Sequence, residues 1–409
     1  MNSVCVWKFT AAIFFRYNKP QSRALYQLTM LIKFFPRIIV LLLQLMFFEL
    51  CYPNDGAFRA AGNQLIPVYE SDVTVKKEIL TLKRTSDRKV AITVYYEFFN
   101  PKSDKDLEVG FEAVSPYGDV STRPVNGRHP YITAFTVNMN EQSIPFTVSI
   151  VSDSLYYKNG KYKSKTVAEA LKESEYSDDV NFFYVYHFRA LFKQGINIIK
   201  HTYTVDLSSS VLENYDLEYI LTAAKRWGNR QIDDFTLQID MGEFQDLCMP
   251  NTFFSNISEW QLPEGGKSIV LKKNRKDKNE TDSSEFFIRK GTLIFKATNF
   301  KPRSELYLHS FNTYYRNHAG DEDLVDDHFD WKRDDLPFSI EDQNAIPEPA
   351  NELSKKILKN LPFARRGYIF KSPELQTFFE RQTWYRKDEA YQPILNGLTS
   401  REQAWVSKW

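Results

Sequence analysis

The sequence predicts a mainly β protein, a β-sandwich-like N-terminal domain followed by a small α-helical C-terminal module. Three observations carry that expectation. Alternating apolar runs separated by turn residues recur from Val73 to about Leu207, and again through residue 300. Helical spacing is rare in that stretch. Past residue 352 the spacing becomes helical and helix-capping residues appear.

The first 48 residues contain no Asp or Glu. Lys33 and Arg37 precede the 11-residue apolar run Ile38–Phe48. A run of that length fits a signal-peptide core, with the peptide at 30–53, and is short for a bilayer span of about 20 residues. Residues 1–29 then lie upstream of the true start codon. The alternative is a membrane anchor, lengthened by MLIKFFP. Cys51 follows Glu49 and Leu50, a poor lipidation context, so a lipid anchor there is a second route to the membrane.

The β-rich domain is expected over 55–318. VTVKKEILTL and KVAITVYYEFF flank a turn at TSDR. In the second run Val90, Ile92, Val94, Tyr96 and Phe98 alternate, so one face meets a core. LEVGFEAV is a further strand. Asn159-Gly160 sits between aromatic flanks and supplies the positive φ angles of a type I′ hairpin. KTVAEALKES (165–174) reads as one short helix. NFFYVYHFRALF and INIIKHTYTV are strands divided at Gln194-Gly195, and LEYILTAA and DFTLQIDMG follow around a turn at RWGNRQ. Residues 250–284 are turn-rich, and their charge run KKNRKDKNETDSSE reads as a solvated loop. FFIRKGTLIFKATNF adds one or two strands.

Residues 319–352 are acidic and carry prolines toward their end, which reads as a linker. The helical module occupies 353–409. Leu353, Ile357, Leu358 and Leu361 share a helix face. Ser372 is an N-cap with Pro373 at the first helical position, ahead of Leu375, Phe378 and Phe379. Thr399 and Glu402 form a capping box before Trp405 and Trp409.

Composition narrows the function. The net charge is +1, from 53 basic and 52 acidic residues, so no global field draws the chain to nucleic acid. The three cysteines, Cys5, Cys51 and Cys248, allow at most one disulfide in the mature chain and form no CxxC. GxSxG, HExxH and GxxxxGK[ST] do not occur, and EGGKS (264–268) reads as a turn. No catalytic residue, cofactor or metal site is assigned. His309, His318 and His328 lie near Asp321, Asp323, Asp326, Asp327 and Asp330. Oxygen ligands of that kind suit calcium, but Val325 breaks the EF-hand spacing, so the segment reads as a solvated acidic loop with calcium left open. His201 and Tyr203 share a strand face, and a His bonded to a neighbour is favoured over a catalytic pair. Trp227, at a turn, reads as a core plug rather than a stacking platform.

Residues 354–405 resemble the YARHG domain of bacterial extracellular proteins. Phe363, Ala364, Arg365, Arg366 and Gly367 stand in the motif positions, with Phe in place of Tyr and Arg in place of His. Phe370, Leu375, Phe378, Trp384-Tyr385 and Glu402 match later landmarks. The resemblance implies binding of an extracellular component. Residues from about 55 to 245 resemble an uncharacterised bacterial exported family, through DGAFRAAGNQLIPV, VTVKKEILTLKR, TVYYEFFNP, VGFEAVSPYGD, HPYITAFTVNMN, FKQGINIIKHTY and the stretch Tyr219–Trp227. That resemblance implies an envelope setting and a β-rich fold.

The resulting expectation is a periplasmic or cell-surface protein that binds a glycan or a protein partner without catalysis. Arg365 and Arg366 are the candidate clamp on a carboxylate or phosphate, with Trp384 and Tyr385 as an aromatic wall. The bland reading makes one arginine a tie to carbonyls or Glu402, and Trp384 core. A hydrolase assembled only in three dimensions, and a structural part of a surface assembly, are the alternatives.

Overall fold

The computed structural model describes residues 61–409, apart from 64, 69–71, 87, 153–155, 177–179, 211, 274–280, 314–327 and 341–345. The expected signal peptide, Cys51, and His318 with Asp321, Asp323, Asp326 and Asp327 lie outside the described residues.

The pattern read at Val90 to Phe98 is the centre of the fold. Lys89–Asn100 buries every second residue on one face. It pairs along its length with Thr74–Ser86 on one side and Gly195–Asp206 on the other. Around these three strands an eight-stranded sheet runs in the order Trp260–Gln261, Leu293–Phe300, Ile232–Asp240, Thr74–Ser86, Lys89–Asn100, Gly195–Asp206, Ile132–Met139, Gln142–Ser143. Ile232–Asp240 runs parallel to Thr74–Ser86, and the sheet is otherwise antiparallel.

The opposing layer is split into two sheets. One has four strands: Leu65–Pro67, Lys105–Val114, Phe183–Phe192 and Thr147–Val151. The other has six: Ala61–Asn63, Glu213–Ile220, Leu306–Phe311, Gln245–Pro250, Ser283–Ile288 and Lys267–Leu271. One apolar core joins all three sheets. Phe111 of the four-stranded sheet meets Tyr203 of the large sheet at 4.9 Å between ring centroids. Phe286 of the six-stranded sheet meets Trp260 at 5.4 Å. This is a β-sandwich with a divided second face.

Local expectations are met where turn chemistry dictates them. Asn159 and Gly160 both have positive φ, 52° and 76°, in the hairpin of Tyr157–Lys158 with Lys161–Tyr162. The short helix α1 spans Val167–Tyr176. Trp227 is fully buried, lies tilted against Phe98 at 4.4 Å between ring centroids, and donates from Nε1 to the Leu65 carbonyl at 2.8 Å.

The C-terminal helices are α2 (Glu352–Arg365), α3 (Pro373–Arg381) and α4 (Ser400–Lys408). Each has a side-chain N-cap: Asn351 accepts from Ser354 N, Ser372 from Leu375 N, and Thr399 from Glu402 N. Ile357, Leu358, Leu361, Phe379, Trp405 and Trp409 form their own core.

The segment expected as a linker does not behave as one where it is described. Phe329, Leu336, Phe338, Ile340 and Ile346 are buried in the same core as the helices. Its acidic residues fold the chain locally. Asp334 N donates to the Asp330 carbonyl, and Asp330 N donates to the Asp334 carboxylate, both at 2.8 Å. The physical reason is that the acids occupy turns while the apolar residues between them face inward. Phe287 of the six-stranded sheet, and Phe244 just before its strand Gln245–Pro250, complete that core, so the module packs on the outer face of the sandwich.

Candidate functional site

The site grows from the end of α2. Arg365 and Arg366 are consecutive, about 100° apart around the helix, yet both reach Glu402 in the first turn of α4. Arg365 also donates from Nη1 to the Phe338 carbonyl at 2.8 Å. Arg366 donates from Nη2 to Glu402 Oε2 at 2.8 Å and from Nη1 to the Pro362 carbonyl at 2.9 Å. Both guanidinium groups lie over the Phe244 ring, 4.5 Å and 4.3 Å from its centroid. Burial alone raises the Glu402 carboxyl, but the Arg366 bond and the charges of both arginines outweigh it and hold the group at about 2.

Gly367 then turns the chain with φ +90°, a region open to glycine. A Cβ there would run into the Arg386 carbonyl oxygen and come within 2.8 Å of Asp388 Cβ and 2.9 Å of Asp388 N. Asp388 N donates to the Gly367 carbonyl at 2.9 Å, so the bare glycine seats the 386–388 segment beside the arginines.

That segment closes a cleft of about 770 Å³ between the sandwich and the module. The sandwich contributes Glu243, Phe244, Glu264, Gly265, Arg289 and Lys290. The module contributes Arg366, Arg386, Lys387, Asp388, Glu389 and Tyr391. Arg289 Nη2 donates to the Arg386 carbonyl at 3.2 Å, and its Nη1 lies 3.6 Å from Asp388 Oδ2. Lys267 donates to the Tyr385 carbonyl at 3.2 Å. Burial lowers the pKa of Arg289; nearby Asp388 opposes the shift, while Arg386 and Arg366 add to it. Burial lowers Lys267 as well, again helped by Arg386. The cleft lining mixes five cations, Arg289, Lys290, Arg366, Arg386 and Lys387, with four carboxylates, Glu243, Glu264, Asp388 and Glu389.

Of the four residues singled out from sequence, Arg366 alone lines the cleft. Arg365 is buried against Glu402 and Phe338. Trp384 is buried and donates from Nε1 to the Leu336 carbonyl at 2.9 Å. Tyr385 is buried and donates to the Tyr368 carbonyl at 2.7 Å. Arg289 and Phe244 went unread because each lies just outside a strand, far along the chain from the motif, with no local pattern around it. EGGKS is the expected turn, with Gly266 N donating to the Pro263 carbonyl at 3.0 Å, and it places Gly265 on the cleft wall.

Other candidates resolve differently. His201 is fully buried, stacked on Tyr203 and packed between Phe111 and Phe135. Neither ring nitrogen has a hydrogen-bond partner, and burial pushes its pKa down to about 3. The expected bond to a neighbour is absent there. Among the described residues, no group of three or more His, Cys, Asp or Glu is placed to hold a metal ion. Among them too, no helix is long and apolar enough to cross a membrane.

Residues 340–409 match the family model of the YARHG domain. No curated protein matches the sequence. Among solved structures, the chain is similar to a candidate nutrient-binding protein of Legionella pneumophila, at 14% identity and a TM-score of 0.43, covering 87% of this chain and 99% of that one. It is also similar to baculovirus P35, at 13% identity and a TM-score of 0.25, over 60% of this chain and 98% of that one. An M1 zinc metallopeptidase of Deinococcus radiodurans follows at 9% and 0.21, over 60% and 43%. At these scores none of the three fixes a function.

Proposed function

We propose that this chain is an exported, non-catalytic binding protein of the cell envelope, and that the cleft between its sandwich and its YARHG module is the receptor site. The observation that carries the reading is the joint construction of the cleft. Arg366 of the YARHG segment and Arg289 of the sandwich meet on one wall, so neither part holds the site alone. The volume of about 770 Å³ lies in the range of small-molecule sites. The lining supplies charged groups and hydrogen-bond donors suited to holding a polar ligand. Export is supported by the acid-free, apolar N-terminal run.

The test is retention of the full mature chain on purified cell-wall sacculi and envelope extracts. Glu264→Trp places a bulky ring on the exposed cleft lip. Retention by the wild type, lost in this variant with unfolding unchanged, is the expected result. Equal retention of both proteins, or none by either, removes the cleft as the receptor.

A further inference from the structure

We propose that Ser149, His187 and Glu108 form a second site, a serine triad that hydrolyses small carboxylic esters. It stands apart from the cleft and goes beyond the binding role assigned there. It also supplies residues for the hydrolase whose groups converge only in three dimensions.

Strand register brings the three together. Glu108, His187 and Ser149 lie on neighbouring strands of the four-stranded sheet, Lys105–Val114, Phe183–Phe192 and Thr147–Val151. His187 stands opposite Gly110 on one side and Thr147 on the other. Glu108 and Ser149 are each two residues from those positions, so the three side chains share one face as diagonal neighbours. His187 Nδ1 lies 2.8 Å from Glu108 Oε1, and its Nε2 lies 3.0 Å from Ser149 Oγ. A carboxylate only accepts, so Nδ1 carries the proton and Nε2 is left to accept from the serine. Tyr162 stacks on the imidazole at 3.7 Å between ring centroids and donates to the same Glu108 oxygen at 3.0 Å. The ring is thereby held in one orientation and one tautomer. Burial lowers the His187 pKa, with Glu108 opposing the shift, so the imidazole is neutral at pH 7 and able to take a proton. A serine bonded to a base, and the base to a carboxylate, is the arrangement that activates a hydroxyl nucleophile.

There is room at the serine. Ser149 is half-buried and lines a cavity of about 370 Å³ together with Arg128, Phe146 and Lys165. None of its described lining residues is acidic. Lys165 is tied to Glu173. Arg128 has no ion-pair partner among the described residues and lies over the Phe146 ring, 5.4 Å from its centroid. A cation on this wall favours the negative charge that develops on an acyl oxygen. The small volume suits a short acyl group.

The chemistry balances with water as its co-reactant. Ser149 Oγ attacks the ester carbonyl carbon, and its proton passes to His187 Nε2. The bond to the alcohol oxygen breaks, and the alcohol leaves with that proton. Water then gives a proton to His187 and attacks the acyl-serine. The acid departs and the proton returns to Ser149 Oγ. Glu108 is a positioning residue, acting through His187.

The experiment treats the full chain with a fluorophosphonate, maps the adduct by mass spectrometry, and follows hydrolysis of p-nitrophenyl acetate. A phosphonyl adduct on Ser149 is expected, with ester turnover. Ser149→Ala should lower kcat/KM at least about a hundredfold with thermal unfolding unchanged. Glu108→Gln should lower kcat by a similar factor with KM unchanged. Absence of the adduct, absence of turnover, or equal turnover in Ser149→Ala overturns the inference. Should the variants fail to fold, the wild type decides. An adduct on Ser149 in the native chain that is missing after unfolding in urea supports the triad; labelling in both states, or in neither, overturns it. Retention on sacculi is independent of these outcomes, so the receptor reading of the cleft stands or falls on its own test. Success here confines the non-catalytic reading to the cleft.

Discussion

Glu402→Gln isolates the bond on which the module depends. Glu402 is almost wholly buried, with a side chain 2% exposed, so solvent does little to screen it. Its carboxyl is held at about 2 against an ordinary 4.5. That displacement corresponds to about 3 kcal/mol of stability. Removing one partner of a buried ion pair independently costs roughly 3–5 kcal/mol, because Arg365, itself 4% exposed, keeps its charge without a counterion. The two routes agree. The pH dependence has a definite sign. A depressed carboxyl stabilises fully above about pH 4.5 and loses that contribution as pH falls toward 2. The wild type should therefore lose about 2 kcal/mol of this contribution by pH 3, and Glu402→Gln should lack that loss. Urea unfolding at pH 7 and pH 3 measures both quantities. Limited proteolysis with mass mapping shows whether cleavage concentrates in 340–409. A cost under about 1 kcal/mol at pH 7, or the same acid sensitivity in both proteins, would refute the reasoning.

Gly367→Ala forces an L side chain into φ +90° against the 386–388 backbone. It should cost at least about 2 kcal/mol in urea unfolding, and a cost below about 0.5 kcal/mol contradicts the seating role. His201→Leu removes two buried nitrogens that lack partners and should stabilise the chain by roughly 1–2 kcal/mol at pH 7. With His201 held near 3 in the fold and near 6.5 unfolded, the unfolded chain alone takes up a proton between those values. Stability therefore falls as pH drops through that window, and the Leu variant should lose less, as acid-unfolding midpoints would show. Trp384→Phe deletes the donor to the Leu336 carbonyl and should cost about 1 kcal/mol, while retention on sacculi is unchanged. A loss of retention without a loss of stability would return Trp384 to the contact surface.

Much of the sandwich was legible because its strands have one wet face. Lys89–Asn100 alternates buried and half-buried residues without a break, and that period is visible in the letters. Gln245–Pro250 and Leu306–Phe311 were not singled out, for the opposite reason. The module or its approach covers their outer face, so Asp246, Cys248, His309 and Ser310 are buried beside Leu247, Met249 and Leu308. A strand buried on both faces, with polar residues among the buried ones, has no hydrophobic period to read. The acidic run before α2 misled through composition. Its apolar residues matter more than its charges once Phe329, Leu336 and Phe338 find the helices.

The cleft was half legible, and the missing half is a matter of distance along the chain. The motif announces Arg365 and Arg366, and helix geometry says they diverge. Only the fold shows that Glu402 draws both back, leaving Arg366 at the cleft edge and Arg365 beneath it. The departure from the usual His at position 366 has a physical consequence. An arginine offers five donors and a flat cation, enough to bond Glu402 and the Pro362 carbonyl while resting on Phe244 of the sandwich. An imidazole has two nitrogens and a shorter reach, and could not make all three contacts. Arg366, one of the two side chains that depart from the family pattern, thus binds the module to the sandwich beneath it. That contact sets Arg366 in the same cleft lining as Arg289 and Arg386.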